Sequence, residues 1–231
     1  METKILSWNI WCDCYFDKVT EFITSSNPDI IALQEVTFDD PERDIVSFLK
    51  DKGYQYASAP GAEFTDSKNR HHKLNNLIFS RFPIVESKAH LLRAEGKVAT
   101  VEAKIDIHGK IFSAFSVHLK HTHFERTDLQ DEQARTLVNI IPTSQGIVMG
   151  DFNALPESYP VQLMLEKYRN TDPNCAPTWC MYRDGCPVCQ LEEITKRLDY
   201  IFVSPDVATS KPEVGMSKGS DHLPILVTIN V

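Results

Sequence analysis

The chain has 231 residues, of which 42% are hydrophobic and 24% are charged, as expected for a globular protein with a sizeable core. Its 24 basic and 32 acidic residues give a formal charge of −8, which argues against a protein that binds nucleic acid mainly by long-range attraction. No apolar stretch approaches the roughly 20 residues that a membrane span needs, and residues 1–4 do not resemble a secretory signal. We therefore predict one domain, residues 1–231, in a monomeric cytoplasmic protein without a membrane span.

The first quarter of the chain alternates strands and helices. Phe16, Val19, Phe22 and Ile23 form an apolar stripe at helical spacing, and Pro28 ends that helix because proline disfavours helical geometry in the residue before it. The predicted elements are a strand over residues 3–10, a helix over 16–26, a strand over 29–35, and a helix that begins at Pro41 and closes at Gly53.

The rest of the chain is richer in strands. Short apolar runs separated by Gly, Pro and charged turns predict strands, and residues 106–110 predict a hairpin turn. The predicted strands cover residues 54–59, 75–80, 84–91, 98–107, 110–119, 145–150, 198–203 and 223–231; the helices cover 125–141 and 158–167; the long loops cover 61–73 and 170–196. This order indicates an α/β fold in which two mixed sheets stack face to face, with helices on the outside.

Polar side chains stand at the ends of several predicted strands. Asn9 and Glu35 end the first two strands, Asp151 and Asn153 follow a third, and His222 precedes the last. Buried strands that deliver carboxylate, carboxamide and imidazole groups to one rim build a rigid polar site. This pattern predicts a metal-dependent hydrolase.

Asp151 and Asn153 are two residues apart, so an extended backbone points both side chains the same way. A carboxylate beside a carboxamide suits a water molecule or a phosphate oxygen, although Gly-Asp and Asn also form ordinary turns. His222 can act as acid, base or phosphate ligand if a carboxylate holds its other ring nitrogen, and Asp199 is the candidate for that role. We predict these four residues to be catalytic.

Glu35 ends a strand that is too apolar to carry a charge unless the residue lies at the rim or binds a ligand. An oxygen ligand there suits Mg²⁺, with Mn²⁺ as the alternative. Asn9 either orients Glu35 or binds the metal through its carbonyl oxygen. The competing interpretation makes Glu35 a surface acid, and His118, at the end of another strand, a half-buried strand histidine.

Six cysteines raise a separate question. Four of them, Cys175, Cys180, Cys186 and Cys189, fall within 15 residues, but the spacing contains a single Cys-x-x-Cys pair. Three interpretations stay open: a Zn²⁺ site, disulfide bonds, and free thiols in a reducing compartment.

Six segments together resemble the endonuclease/exonuclease/phosphatase superfamily, and they occur in that family's order over nearly the whole chain. They are NPDIIALQE (27–35), NLIFSRFPI (76–84), SVHL (116–119), GDFN (150–153), RLDYIF (197–202) and SDHLP (220–224). The resemblance implies a four-layered α/β sandwich and Mg²⁺-dependent hydrolysis of phosphoester bonds.

The resemblance also implies roles for individual residues. Glu35 is similar to the metal-binding glutamate, with Asn9 beside it and Asp221 as a supporting acid near the metal. Asp151 is similar to the residue that activates water, Asn153 to the one that holds the phosphate, and His222, oriented by Asp199, to the one that stabilises the pentacoordinate phosphorus. His118 resembles the second histidine of the deoxyribonuclease and sphingomyelinase branches. The substrate-binding candidates are Asn76, Trp179 and Arg197.

The substrate is less well determined. Thr178-Trp179 resembles a segment of the tyrosyl-DNA phosphodiesterase branch, and Trp179 either stacks on a base or anchors its loop. The basic segments 68–73 and 120–123 are either solvated loops or the lip of a substrate site. We predict a phosphodiesterase acting on DNA, as a nuclease or an end-processing enzyme. The alternatives are a phosphoesterase for an inositol phosphate or sphingomyelin, and an inactive binding module on the same fold.

Overall fold

The computed structural model describes residues 1–38, 40–65 (64 and 65 through their backbone only), 71–93, 98–183, 186 and 188–231. Within these residues the strands are β1 (Glu2–Asn9), β2 (Ile30–Val36), β3 (Gln55–Thr65), β4 (His71–Ser80), β5 (Ile84–Leu91), β6 (Ala99–Ile107), β7 (Lys110–His118), β8 (Gly146–Asp151), β9 (Arg169–Asn170), β10 (Asp199–Val203), β11 (Ala208–Thr209), β12 (Glu213–Val214) and β13 (Ile225–Asn230). The α-helices are α1 (Phe16–Ser26), α2 (Ile45–Asp51), α3 (Asp128–Ile140) and α4 (Tyr159–Leu165), and single 3₁₀ turns occupy Trp11–Asp13 and Pro41–Arg43.

The strands form two mixed sheets. The first has the order β11-β13-β1-β2-β4-β3, with β12 also paired to β13, and the second has the order β5-β6-β7-β8-β10-β9. Each sheet contains one parallel pair, β1 with β2 and β7 with β8, while the other pairings are antiparallel.

The two sheets stack face to face, and the helices cover their outer faces. Successive residues of a strand point to opposite faces, so Ile5 packs in the core between the sheets while Leu6 packs against the helices. The same alternation places Ile147 between the sheets and Val148 against the side that carries α3 and α4. The predicted four-layered α/β sandwich is confirmed.

Several element boundaries differ from the prediction. The second helix begins at Ile45 instead of Pro41, because the Asp44 carboxylate caps it by accepting a hydrogen bond from the backbone N–H of Ser47 at 2.9 Å. Residues 61–65 and 71–73, predicted as a loop, extend the antiparallel pair β3–β4. Residues 66–70 of that loop, which include the basic residues Lys68 and Arg70, lie outside the described residues.

The hairpin turn between β6 and β7 is confirmed. Ile107 pairs with Lys110, so His108 and Gly109 form a two-residue turn, and both have positive φ values of 54° and 85°. Two-residue hairpin turns require positive φ values of this kind, and glycine adopts them without steric cost.

In the described part of the chain, no helix combines the length and the apolar character that crossing a membrane would require.

Candidate active site

The predicted strand-end residues meet at one edge of the sandwich because of the strand pairing. His118 of β7 and Asp199 of β10 are both in register with Asp151 of β8, so three polar side chains lie side by side on the second sheet. On the first sheet, Asn9 ends β1, which is parallel to β2, and His222 precedes β13, which is antiparallel to β1. The polar ends of the two sheets therefore face each other.

Asn9 joins the two sheets through its carboxamide group. Its Oδ1 accepts a hydrogen bond from the backbone N–H of Trp11 at 3.0 Å, which fixes the orientation of the amide. Its Nδ2 then donates to Glu35 Oε1 and to Asp151 Oδ2, each at 3.1 Å. Of the two predicted roles, this placement corresponds to orienting Glu35. It does not correspond to a metal ligand, because the carbonyl oxygen points away from the carboxylates.

Glu35 reaches the site through an irregularity in its strand. The pairing of β2 with β4 shifts register between Leu33 and Val36, and Glu35 has a left-handed backbone with a φ of 59°. Bulges of this kind turn a side chain out of the regular alternation. The Glu35 side chain keeps 19% of its surface exposed, and Cys12 Sγ lies 3.5 Å from its Oε2.

Asp151 is the buried centre of the site. The Nε2 atoms of His118 and His222 lie 3.5 and 3.7 Å from its Oδ2, and its Oδ1 accepts the backbone N–H of Asn153 at 2.7 Å. Burial raises the pKa of Asp151 to about 6, although the two nearby histidines act in the opposite direction. Burial likewise lowers the pKa of His118, so that this imidazole is neutral at pH 7.

The position of Asp151 depends on the glycine before it. Gly150 has a φ of 143°, and a Cβ atom there would lie 1.9 Å from the carbonyl oxygen of Val117 on β7. Only glycine permits this close approach of β7 and β8, which brings His118 beside Asp151.

His222 is held by two further residues. Its Nδ1 lies 2.9 Å from Asp199 Oδ2, and the Thr178 hydroxyl donates to the same oxygen at 2.6 Å. Burial alone lowers the pKa of His222, but the carboxylates of Asp199, Asp151 and Asp221 outweigh burial and hold this pKa well above its usual value. The predicted His222–Asp199 pair is therefore present, and His222 is a cation at neutral pH.

Asn153 makes a contact that the sequence did not reveal. Its Nδ2 donates to the carbonyl oxygen of Leu119 at 3.0 Å, so its Oδ1 faces His121 and lies 2.6 Å from His121 Nδ1. Asn153 has a left-handed backbone with a φ of 47°. In the sequence, the one indication that His121 belongs to the site is its place in the basic segment 120–123. Lys120 of the same segment also lines the site.

Asp221 and Trp179 are linked at the other side of the site. The indole Nε1 of Trp179 donates to Asp221 Oδ2 at 3.0 Å. The Trp179 backbone bridges to Lys196 and to His222, and the residue is only 3% exposed although it borders the cavity. Of the two predicted roles of Trp179, this placement corresponds to the anchor of the loop, because little of the residue is accessible for stacking on a base.

Two predicted substrate-binding residues do not line the site. Arg197 is 2% exposed and donates to Asp172 Oδ2 at 2.9 Å and to the carbonyl oxygen of Ala176 at 2.6 Å. Asn76 is 1% exposed and donates to the carbonyl oxygen of Ala99 at 2.9 Å. Both predictions are corrected, since these groups hold the fold together from inside it.

The four clustered cysteines do not come together as a set of four. Cys175 Sγ lies near Asn170, and Cys180 Sγ lies 2.6 Å from the carbonyl oxygen of Tyr182. Cys186 and Cys189 instead lie beside His121 and His123. Of the interpretations left open, a single site made of all four cysteines does not correspond to this placement, because folding separates them into different surroundings.

The site opens into a cavity of about 520 Å³. Its polar lining includes Glu35, His118, Lys120, His121, Asp151, Asn153, Asp221 and His222, and its other walls carry Trp11, Ala62, Leu74, Arg93, Val98, Leu119 and Leu129. The cavity thus combines a polar floor with a largely apolar wall.

The donor set at the floor fits a divalent cation. Burial and the charge of Asp221 raise the pKa of Glu35, so the half-buried Glu35 and the buried Asp151 both need compensation. Within the described residues, neither of these carboxylates is paired with a lysine or arginine, and their nearest nitrogen partners are the neutral His118 and the cationic His222. Oxygen donors of this type are the ligands that Mg²⁺ and Mn²⁺ prefer.

A stack of three aromatic rings begins at the cavity lining. Tyr182 stacks on Trp11 and on Tyr15, with ring centroids 5.6 and 5.1 Å apart. Trp11 lines the cavity, and Tyr15 is 41% exposed. The three rings therefore form a stack that runs from Trp11 in the cavity lining to the exposed Tyr15.

The profile of the Endonuclease/Exonuclease/phosphatase family matches residues 6–222 of the chain. The chain belongs to this family, whose members are divalent-metal-dependent hydrolases that act on phosphoester bonds, and it is a hydrolase of this class. No curated protein matches it significantly.

Several solved structures share the fold of this chain. The human Nocturnin catalytic domain with bound sulfate superposes with a TM-score of 0.74 at 21% identity, over 99% of this chain and 93% of the other. TDP2 from D. rerio, complexed with a single-strand DNA product, gives 0.71 at 17% identity, over 100% and 99%. A mannosyl-6-phosphatase from Bacteroides thetaiotaomicron gives 0.68 at 20% identity, over 99% and 100%. At these identities the likeness shows the fold.

Proposed function

We propose that the chain is a Mg²⁺-dependent phosphodiesterase that acts on DNA, as a nuclease or end-processing enzyme, with residues 1–231 forming a single catalytic domain. One observation carries the proposal: Glu35, Asp151, His118 and His222 converge on one cavity, and Trp11 in its lining stacks on a further aromatic ring. The single domain is supported by a core between the sheets that includes Ile5 near one end and Ile229 near the other.

Asp151 is the base that takes a proton from the attacking water. Its carboxylate is buried, lies at the centre of the site, and has a pKa of about 6, so it is ionised at pH 7 and still basic enough to accept a proton. The water oxygen forms a bond to phosphorus while the ester P–O bond breaks. The departing oxygen takes its proton from solvent.

The two histidines act on the phosphate oxygens in different charge states. His222 is held as a cation by Asp199 and stabilises the negative charge that develops in the transition state. His118 is neutral and donates a hydrogen bond from Nε2. Asn153, held by Leu119 and His121, supports the same phosphate without adding negative charge.

Glu35 and Asp221 are the residues that would hold the divalent cation, with Asn9 fixing the orientation of Glu35. When bound, the cation supplies a positive field for the phosphate oxygens and so offsets the acidic character of the protein.

The aromatic surface favours a nucleic-acid substrate over a small phosphate ester. Stacking of a base on an aromatic side chain contributes about 1–3 kcal/mol and needs no particular base sequence. Trp11, Tyr15 and Tyr182 present such a surface beside the polar floor, and Lys120 and Arg93 line the cavity as phosphate-binding cations.

The test is an activity screen with purified protein and Mg²⁺. We expect cleavage of a 5′-tyrosyl oligonucleotide, a single-stranded oligonucleotide or a nicked duplex, and no comparable turnover of inositol phosphates or sphingomyelin. Asp151→Asn serves as the inactive control for contaminating nucleases. Cleavage of none of the DNA substrates, with turnover of an inositol phosphate, would overturn the DNA proposal and leave the hydrolase assignment intact.

A paired variant separates the aromatic surface from the catalytic groups. Tyr182→Ala should raise KM for the oligonucleotide about ten-fold and leave hydrolysis of the small diester bis(4-nitrophenyl) phosphate unchanged. The matched control is Tyr56→Ala, an aromatic that is 43% exposed on β3 and does not line the cavity. Equal effects on both substrates would show that the rings only support the fold.

The second candidate is a phosphoesterase for a small molecule or lipid head group. The formal charge of −8 and the apolar cavity wall favour it, since neither suits a polyanion. The same screen decides between the two.

A further inference from the structure

The geometry points to a second metal site, separate from the carboxylates of the first but bordering the same cavity, in which His121, His123, Cys186 and Cys189 bind Zn²⁺. The two histidines lie in the segment that follows β7, and the two cysteines lie in the long loop between β9 and β10. The four ligand atoms all lie within 4.8 Å of one another. Two loops that are far apart in sequence therefore deliver four metal-binding groups to one point.

The distances between the ligand atoms are those of a tetrahedral zinc site. Zn–S bonds of about 2.3 Å and Zn–N bonds of about 2.0–2.1 Å place a sulfur and a nitrogen about 3.6 Å apart and two nitrogens about 3.4 Å apart. The four sulfur–nitrogen distances here are 3.8, 3.8, 3.9 and 3.6 Å. The distance between His121 Nε2 and His123 Nδ1 is 3.1 Å.

The hydrogen bond to Asn153 supplies an independent argument. The amide nitrogen of Asn153 is committed to the carbonyl oxygen of Leu119, so its Oδ1 needs a donor, and His121 Nδ1 lies 2.6 Å away. His121 therefore carries its proton on Nδ1 and presents the bare lone pair of Nε2 to the two sulfurs. This is the tautomer that a metal ligand requires, with its other nitrogen held by an oxygen acceptor.

The chemistry of the donor set selects the metal. Two thiolates balance the charge of a divalent cation, and two imidazoles complete a four-coordinate shell, which is the Cys₂His₂ set of structural zinc sites. Magnesium is excluded as the occupant because it prefers oxygen ligands. Phe124 and Trp179 pack beside His121 and shield this side of the cluster from water.

The proposed zinc site also has a structural role, which is to hold the long loop between β9 and β10 in place. The core under the long loop is small and consists of Trp179, Cys180 and Leu198 with a few half-buried neighbours. A metal that joins this loop to the segment after β7 supplies the cross-link that so small a core cannot provide.

The first test is elemental analysis of protein purified without chelator. We expect about one zinc per chain in the wild type and in the controls Cys175→Ser and Glu35→Gln. We expect the zinc to be lost in Cys189→Ser and in His123→Ala, and His123 is exposed, so the second variant should fold normally. Retention of zinc in both of these variants, or its loss in Glu35→Gln, would overturn the assignment.

The second test replaces zinc by Co²⁺ in the wild type. We expect the visible and near-ultraviolet absorption of a tetrahedral thiolate complex, and its absence in His123→Ala. A disulfide between Cys186 and Cys189 in the mass spectrum would contradict the proposal. So would reaction of all six free cysteines with a thiol reagent in metal-containing native protein. Activity on any substrate is not a readout here, so this proposal and the proposed function can fail separately.

Discussion

The catalytic centre and the His–Cys cluster (His121, His123, Cys186 and Cys189) are both groups of polar side chains, but they are positioned in different ways. In the catalytic centre, backbone pairing sets His118 and Asp199 beside Asp151, and the core between the sheets supports the strands that carry them. In the His–Cys cluster the ligands lie in connecting segments with no ladder between them. A sheet can therefore preorganise a site without a metal, whereas the proposed zinc would hold the two loops together.

The two regions meet at one pair of residues. His121 contributes Nε2 to the His–Cys cluster and Nδ1 to Asn153 of the catalytic centre. Substitutions can show how far the candidate catalytic centre depends on the residues that surround and support it.

Removal of the cationic imidazole of His222 should have the largest effect on activity. His222→Ala should lower kcat by about 10³–10⁴-fold with an unchanged circular dichroism spectrum, because it removes the charge that stabilises the transition state. Initial rates on the best substrate measure this. The matched control, His108→Asn, changes a histidine in the β6–β7 turn and should have no effect. Retention of a tenth of the activity in His222→Ala would contradict the proposed role.

The buried ion pair between Arg197 and Asp172 should matter for stability and not for substrate binding. Arg197→Met leaves Asp172 buried without its partner and should reduce the free energy of unfolding by about 3–5 kcal/mol. Urea denaturation checks this, and the double variant Arg197→Met/Asp172→Leu should recover part of the loss. If Arg197→Met instead raises KM at unchanged stability, the original prediction of a substrate ligand is right.

Removal of the Thr178 hydroxyl, which holds the Asp199 partner of His222, should have a smaller effect on activity. Thr178→Val removes the hydroxyl that donates to Asp199 and should lower kcat by about 10–100-fold, while Thr178→Ser should restore most of it. Separate measurement of kcat and KM for the wild type and the two variants checks this prediction. An effect on KM alone would show that Thr178 does not act through the His222–Asp199 pair.

A change of pH should have the mildest effect on activity. Asp151 must be ionised to accept a proton, and burial raises its pKa to about 6, so kcat/KM should fall about ten-fold per pH unit below that value. A bound cation favours the ionised form and moves this limb to lower pH. The alkaline limb belongs to His222, which must stay protonated, and Asp199→Asn should shift it to lower pH because a carboxylate that raises the pKa of His222 is lost. A profile with no acid limb at any pH at which the metal-loaded protein stays folded would exclude Asp151 as the base.

The sequence predicted the fold, and it predicted that polar residues at strand ends lie together, for a physical reason. Apolar runs of strand length are strong local signals, and polar residues at their ends must lie at a rim. Asn9, Glu35, His118, Asp151 and His222 all follow this rule, and pairing between strands brings them together.

The residues that escaped prediction depend on contacts between distant segments. Arg197 belongs to a segment that resembles the family, which makes it a substrate-binding candidate, and only the fold shows that Asp172 pairs with it inside the protein. The cysteines were grouped by their spacing, but the partners of Cys186 and Cys189 lie more than 60 residues away along the chain. The helix that begins at Ile45 was placed too early because Pro41 is an equally good starting residue for the single 3₁₀ turn found there.

The left-handed backbone at Glu35 and Asn153 has a consequence for engineering. Residues other than glycine cost free energy in that conformation, by about 1 kcal/mol each, so the native fold gives up stability to aim these two side chains. Glu35→Gly and Asn153→Gly would remove that cost and disable the enzyme at once. A selection for thermal tolerance alone would therefore erode the working site first, and any such campaign on this scaffold must screen for turnover at every round.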